Sequence, residues 1–210
     1  MTFLDVTADI TPSLLTHPGD PNFSQKKVSD LNEGNCFNLC EIKMGNHTGT
    51  HIDFPSHVIP DGKTSSDYSI NDLVGVGVVI ELDNKSMPSI TGKFIKKQKI
   101  QPGDFVFFKT KNSLLSKYEE LYEDYVFIDA DAAHVLVNSK VRVVGIDYLS
   151  VDDFKNNALS VHHILLKNNV LIVENLELKN IFPGRYHVFI APINIPKMDG
   201  LPTRVFLKGV

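Results

Sequence analysis

Eleven residues, His47-Thr48-Gly49-Thr50-His51-Ile52-Asp53-Phe54-Pro55-Ser56-His57, restrict the possible folds of this chain more than any other stretch. They hold three of its eight histidines and an aspartate. Neutral imidazoles beside an anionic carboxylate suit a divalent metal better than an apolar core. The even offsets between His47, His51, Asp53 and His57 place them on one face of an extended chain. In a helix His51 would lie over His47, but Asp53 would point away from both. Thr48, Thr50, Ile52 and Phe54 favour extended backbone, and Pro55 drives Phe54 out of the helical region. A straight strand fails too. At roughly 3.3 Å per residue, His47 and His51 would stand about 13 Å apart, too far to share an ion. The chain must bend between them, and Gly49 can adopt the dihedrals required. The expectation is a strand end, bent at Gly49, that delivers its ligands to one point. A polar loop of solvated histidines is the alternative.

A chain of 210 residues can bury a sizeable core as one domain, and no linker or internal repeat divides residues 1–210. The net charge of −4 and the absence of a basic stripe argue against a nucleic-acid partner, Lys96, Lys97 and Lys99 reading as a solvated cluster. No apolar run is long enough to cross a bilayer, and Met1-Thr2-Phe3-Leu4-Asp5 lacks the pattern of a signal peptide, so a cytoplasmic protein is expected. Cys36 and Cys40, four apart in a strand pattern from Cys36 to Met44, are expected as core thiols.

Elsewhere the pattern alternates. Strands are expected at Phe3 to Thr7, Gly77 to Leu82, Asp104 to Lys109, Tyr125 to Asp129, Val141 to Asp147, Val170 to Asn175, Tyr186 to Ile190 and Arg204 to Lys208. Helical segments are expected at Ile90 to Lys99, Ser113 to Tyr122, Ala130 to Asn138 and Ser160 to Asn169. This indicates an α/β fold with a more purely β first half. His134, Asp129, Asp131, Asp147 and Asp153 read as capping or satisfied groups. Glu174 ends an apolar strand, where an ionised carboxylate is costly without compensation; a metal or a salt bridge would serve equally.

The fixed positions of residues 47–57, His-x-Gly-Thr-His-x-Asp-x-Pro-x-His, resemble the signature of a cyclase family that includes bacterial kynurenine formamidases and isatin hydrolases. His162-His163-Ile164-Leu165-Leu166 followed by Ile172-Val173-Glu174-Asn175-Leu176 is similar to its second ligand block. Asp147-Tyr148-Leu149-Ser150 resembles its Asp-Tyr-x-Ser segment, and Asp199-Gly200-Leu201-Pro202-Thr203-Arg204 its Asp-Gly-x-Pro-x-Arg block. The likeness runs from about residue 3 to the C-terminus. It implies a single α/β domain with mixed sheets and packed helices, of the swivelling β/β/α kind, assembled as a homodimer or higher homo-oligomer.

The resemblance also implies a site. His47, His51 and Asp53 would hold one ion, and His162, Glu174 and a shared Asp53 a second. A slip of one residue would exchange His162 for His163. His57 matches the position that gives and takes the proton, with a role as a further ligand as its rival. Zinc suits an N/O site doing hydrolysis, and manganese suits the carboxylates. The implied activity is hydrolysis of an amide or cyclic amide C–N bond in a small molecule, by metal-activated water. A non-hydrolytic metal binder or iron-dependent redox protein on the same scaffold is the alternative reading. His17-Pro18-Gly19-Asp20 resembles the family's N-terminal Pro-Gly-Asp segment, where kynurenine formamidases carry a tryptophan before the proline. This chain has His17 there and no tryptophan at all, which points to a different or less aromatic substrate; His17 would hydrogen-bond a polar acyl group or serve only as a turn residue.

Overall fold

The computed structural model describes residues 2–82, 87–155 and 158–210; Met1, the start of the N-terminal stretch read above, lies outside them. Twelve strands are described: β1 (Leu4–Asp5), β2 (Ser24–Ser29), β3 (Leu39–Lys43), β4 (His51–Asp53), β5 (Val74–Glu81), β6 (Ser89–Ile90), β7 (Phe105–Lys109), β8 (Phe127–Ile128), β9 (Val143–Ile146), β10 (Leu171–Glu174), β11 (Gly184–Pro192) and β12 (Gly200–Gly209). The helices are α1 (Gly92–Ile95), α2 (Ala130–Asn138) and α3 (Ser160–Lys167).

Seven of the strands close into a mixed barrel in the order β12-β11-β5-β7-β9-β10-β4, with β4 pairing back onto β12 and β1 appended outside β12. The strands β5, β7, β9 and β10 are parallel, and the remaining contacts of the ring are antiparallel. The apolar runs of the parallel strands serve two layers at once. Phe105 and Phe107 face the barrel interior with Val143, Leu171, Val173 and Leu207, while Val106 and Phe108 face Leu136 and Leu165 of the helices. Period-two alternation thus builds both cores from the same segments.

Three expectations give way here. Only a 3-10 turn, Lys111–Leu114, forms in the stretch from Ser113 to Tyr122. Ser113 is bonded through its N–H and Oγ to Asp147 Oδ2, and Lys117 is drawn inwards onto the carbonyls of Asn175 and Leu176, so tertiary bonds override helical propensity. Helix α1 is confined to Gly92–Ile95, because Ser89 and Ile90 pair in β6 with β8. Cys36 and Cys40 are exposed rather than core thiols. The hairpin β2–β3 stands off the barrel as a two-stranded sheet of its own, so the apolar alternation of β3 meets no layer of this chain. Among the described residues, no helix is long and apolar enough to cross a membrane.

Candidate metal centre

Strand β4 is three residues long and lies between β10 and β12, with His51 opposite Glu174 and Pro202, and Asp53 opposite Ile172 and Gly200. Just before it, Gly49 sits at φ +69°, the left-handed region that glycine enters at little cost. This bend brings His47 back over the strand, with Nδ1 2.8 Å from Asp53 Oδ1. Thr50 locks it: its Oγ1 accepts from the Ala8 N–H (2.8 Å) and donates to the Asn175 carbonyl (2.7 Å). The bent strand end expected from the sequence is the local structure observed.

The hydrogen bonds orient the two buried imidazoles. His51 Nδ1–H donates to the Gly49 carbonyl (2.9 Å), which leaves Nε2 3.4 Å from Asp53 Oδ1 and 3.4 Å from Glu174 Oε2. His162 Nδ1–H donates to Asp152 Oδ2 (2.6 Å), which leaves Nε2 3.3 Å from Glu174 Oε1 and 3.5 Å from Asp53 Oδ2. Glu174 Oε1 also accepts from the Val151 N–H at 2.7 Å. His163, one residue along α3, is exposed, so the helix turns His162 and not its neighbour towards Asp53.

Asp53 is fully buried, yet neither of its oxygens receives a hydrogen bond among the described residues. A buried carboxylate is expensive to leave uncompensated, and one faced by imidazole nitrogens on every side is the arrangement a cation satisfies. Two donor groups share Asp53: His47, His51 and Asp53, and Asp53, His162 and Glu174. In each, one ligand atom per residue lies within 4.8 Å of the others. The residues therefore fit a divalent ion, and the shared carboxylate fits two.

The electrostatics agree. Burial opposes the charge on Asp53, but the imidazoles around it hold its carboxyl well below the usual range. Burial likewise opposes charge on Glu174, and His162 and His51 hold it down at about 2. The histidines shift the other way: burial works against their cationic forms, but Asp53 and Asp199 push His47 up to about 9, and Asp53 and Glu174 raise His51. His162 is raised well above its ordinary value by Glu174, Asp152 and Asp53, again against burial. The pocket is built to hold positive charge.

His57 lies in the 3-10 turn Pro55–His57, which Pro55 initiates. Its ring is 4.2 Å from that of His47 and 5.6 Å from that of His162, and its side chain is 26 % exposed. Asp199 Oδ2 joins His47 Nε2 (3.0 Å) to His57 Nδ1 (3.3 Å), while Asn46 Nδ2 donates to Asp199 Oδ1. His47, His57 and Asp199 thus form a third group of possible ligands. All these imidazoles line one cavity of about 180 Å³ together with Ser150, Leu149, Leu159, Glu174 and Asn175. His17 and Asp20 line it as well, and the His17 ring is 5.7 Å from that of Phe154.

Sequence reading missed Asp152 and Asp199. Asp199 sits in a block that was legible, but nothing in its spacing tells that the residue just before β12 is set beside His47. Asp152 is ten residues before His162, and only the tertiary structure sets its carboxylate against the first turn of α3.

A closed mixed barrel with a buried histidine–carboxylate cluster at the end of its shortest strand defines a class of metal-site proteins. The family described as “Putative cyclase” matches residues 4–153, and this chain belongs to that family. It is 31% identical over 209 residues to a kynurenine formamidase of Salinibacter ruber, covering 99% of this chain and 98% of the relative. A kynurenine formamidase of Bacillus cereus is 29% identical over the same shares of the two chains, 99% and 98%. A solved structure described as a potential metal-dependent hydrolase with cyclase activity superposes with a TM-score of 0.84 at 34% identity, covering 98% of this chain and 96% of that one. Isatin hydrolase A from Ralstonia solanacearum shares the fold, with a TM-score of 0.83 at 22% identity over 98% of this chain and 91% of the other.

Proposed function

We propose that this chain is a metal-dependent hydrolase that cleaves the C–N bond of a small amide or cyclic amide. The observation that carries the reading is Asp53: a fully buried carboxylate with no donor of its own, at the centre of His47, His51, His162 and Glu174. These five residues would hold the metal, zinc first on the chemistry of a histidine-rich hydrolytic site and manganese second on its carboxylates. When bound, such an ion supplies an acidic water and a polarised acyl oxygen.

The chain's own groups do the rest. His57 stands at the cavity outside the Asp53–Glu174 cluster, so its imidazole stays available for proton transfer. With Nδ1 held by Asp199, the other ring nitrogen, Nε2, takes the proton of the attacking water and returns it to the amine nitrogen as the C–N bond breaks. The products are a carboxylic acid and an amine. The relatives named kynurenine formamidase favour an N-acyl arylamine, and His17 at the cavity in place of an aromatic stacking residue favours a hydrogen bond to a polar part of the substrate.

Oligomerisation belongs to the same reading. Val28, Leu31, Phe37, Leu39 and Ile42 are exposed on or beside the β2–β3 hairpin, and a two-stranded ribbon with apolar side chains in water is marginal alone. A second copy of the chain would cover them in a homodimer. Exposed, unpaired Cys36 and Cys40 on that hairpin suit a reducing, cytoplasmic setting.

The test is metal content by elemental analysis together with hydrolysis of N-formylkynurenine, isatin and simple aryl formamides, with wild type and His57→Ala side by side. One to two zinc or manganese ions per chain in both, with turnover lost only in the variant, is the expected result. A tightly bound redox-active iron and no hydrolysis would replace this reading by the redox alternative.

A further inference from the structure

Asn175 follows Glu174 directly and lines the same cavity. It is 1% exposed, and its side-chain Oδ1 receives no hydrogen bond among the described residues. Its backbone sits at φ +62°, the left-handed region that asparagine tolerates better than most residues but that still costs conformational energy. Three neighbours hold it there. The Asn175 N–H donates to the Tyr148 carbonyl (2.8 Å), and the Asn175 carbonyl accepts from Thr50 Oγ1 (2.7 Å) and from the buried Lys117 Nζ (3.3 Å). Lys117 is itself paired with Glu177 at 3.0 Å. A buried lysine and a motif threonine are thus used to hold the backbone of one asparagine in a strained conformation next to Glu174. An acceptor oxygen left open in such a place costs stability unless a ligand fills it.

We infer that Asn175 binds the substrate, its Oδ1 accepting the N–H of the scissile amide. This rests on the amide-hydrolase reading and narrows it: the preferred substrate carries a hydrogen on the nitrogen that leaves. That bond would orient the acyl group over the metal ligands and discriminate against esters and N-alkylated amides, because these leave the buried oxygen unpaired.

Asn175→Gly removes the carboxamide without straining the backbone, since glycine accepts positive φ. The experiment compares zinc-loaded wild type and Asn175→Gly on a matched pair, an aryl formamide and the corresponding aryl formate ester. The variant should lose roughly ten- to a hundred-fold in kcat/KM on the formamide and stay within about three-fold on the ester. Equal losses on both substrates, or none on either, would overturn the role of Asn175. In parallel, binding of formanilide and N-methylformanilide to the wild type is measured by calorimetry, which needs neither turnover nor the variant's folding. Tighter binding of the N–H amide supports the inference and equal binding sinks it, even if absence of turnover on every substrate were to sink the hydrolase reading.

Discussion

His162 and Asp152 are joined at 2.6 Å between Nδ1 and Oδ2, and the same carboxylate accepts the backbone N–H groups of Val161 (2.8 Å) and His162 (3.0 Å). One side chain therefore ties down the first turn of α3 and fixes which imidazole nitrogen faces Glu174. Asp152→Ala should weaken metal binding by roughly ten- to a hundred-fold, read by competition with a chelator. Unchanged affinity would show that His162 needs no orienting partner.

Gly200 makes room for His47. A Cβ at residue 200 would stand 2.7 Å from His47 Nε2, and closer still to the ring carbon between the nitrogens. The ring is confined by Asp53 and Asp199, so it cannot yield without leaving those two carboxylates. Gly200→Ala should cost about 1–3 kcal/mol in a denaturant melt and lower metal occupancy. Full occupancy at wild-type stability would count against His47 as a ligand.

The cluster predicts opposite pH responses with and without metal. His47 is raised from 6.5 to about 9 in the metal-free fold, so its stabilising contribution is complete below pH 6.5 and is lost as the pH rises through about 9. Glu174 is lowered from 4.5 to about 2, so its contribution is present above pH 4.5 and is lost as the pH falls through about 2. Metal-stripped protein should therefore weaken from pH 6.5 towards 9. Metal binding needs unprotonated imidazoles, so the rise in Tm on adding zinc should grow over that range. Melting curves between pH 5 and 9, with and without zinc, check both trends; a zinc increment independent of pH would contradict them.

The exposed hairpin gives a prediction on assembly. Phe37 and Ile42 are 58% and 57% exposed. The double variant Phe37→Ser, Ile42→Lys should sediment as a monomer where the wild type sediments as a dimer, with the barrel's circular dichroism unchanged. A wild type that is monomeric at micromolar concentration would remove the interface assigned to this hairpin.

The motif from His47 to His57 carried its own geometry in sequence, because even spacing, β-favouring residues and one glycine leave few conformations that bring its histidines and Asp53 together. The apolar runs of β5, β7, β9 and β10 were legible for a similar reason: period and composition are local properties. The pairing of β4 with both β10 and β12 was not local. It brings Glu174 and Asp199, over a hundred residues away in sequence, to opposite sides of the same short strand. Cys36, Cys40 and the stretch after Ser113 were misread because their patterns describe what a segment could bury, whereas the fold decided what was there to bury them. The sequence by itself determined the cluster of histidines and carboxylates, the bend at Gly49 and the α/β alternation. Only closure of the barrel decided that Asp152 orients His162, that Asp199 joins His47 to His57, and that Asn175 is held with an open acceptor beside Glu174. Those relationships depend on long-range strand pairing and buried polar contacts, which no local spacing encodes.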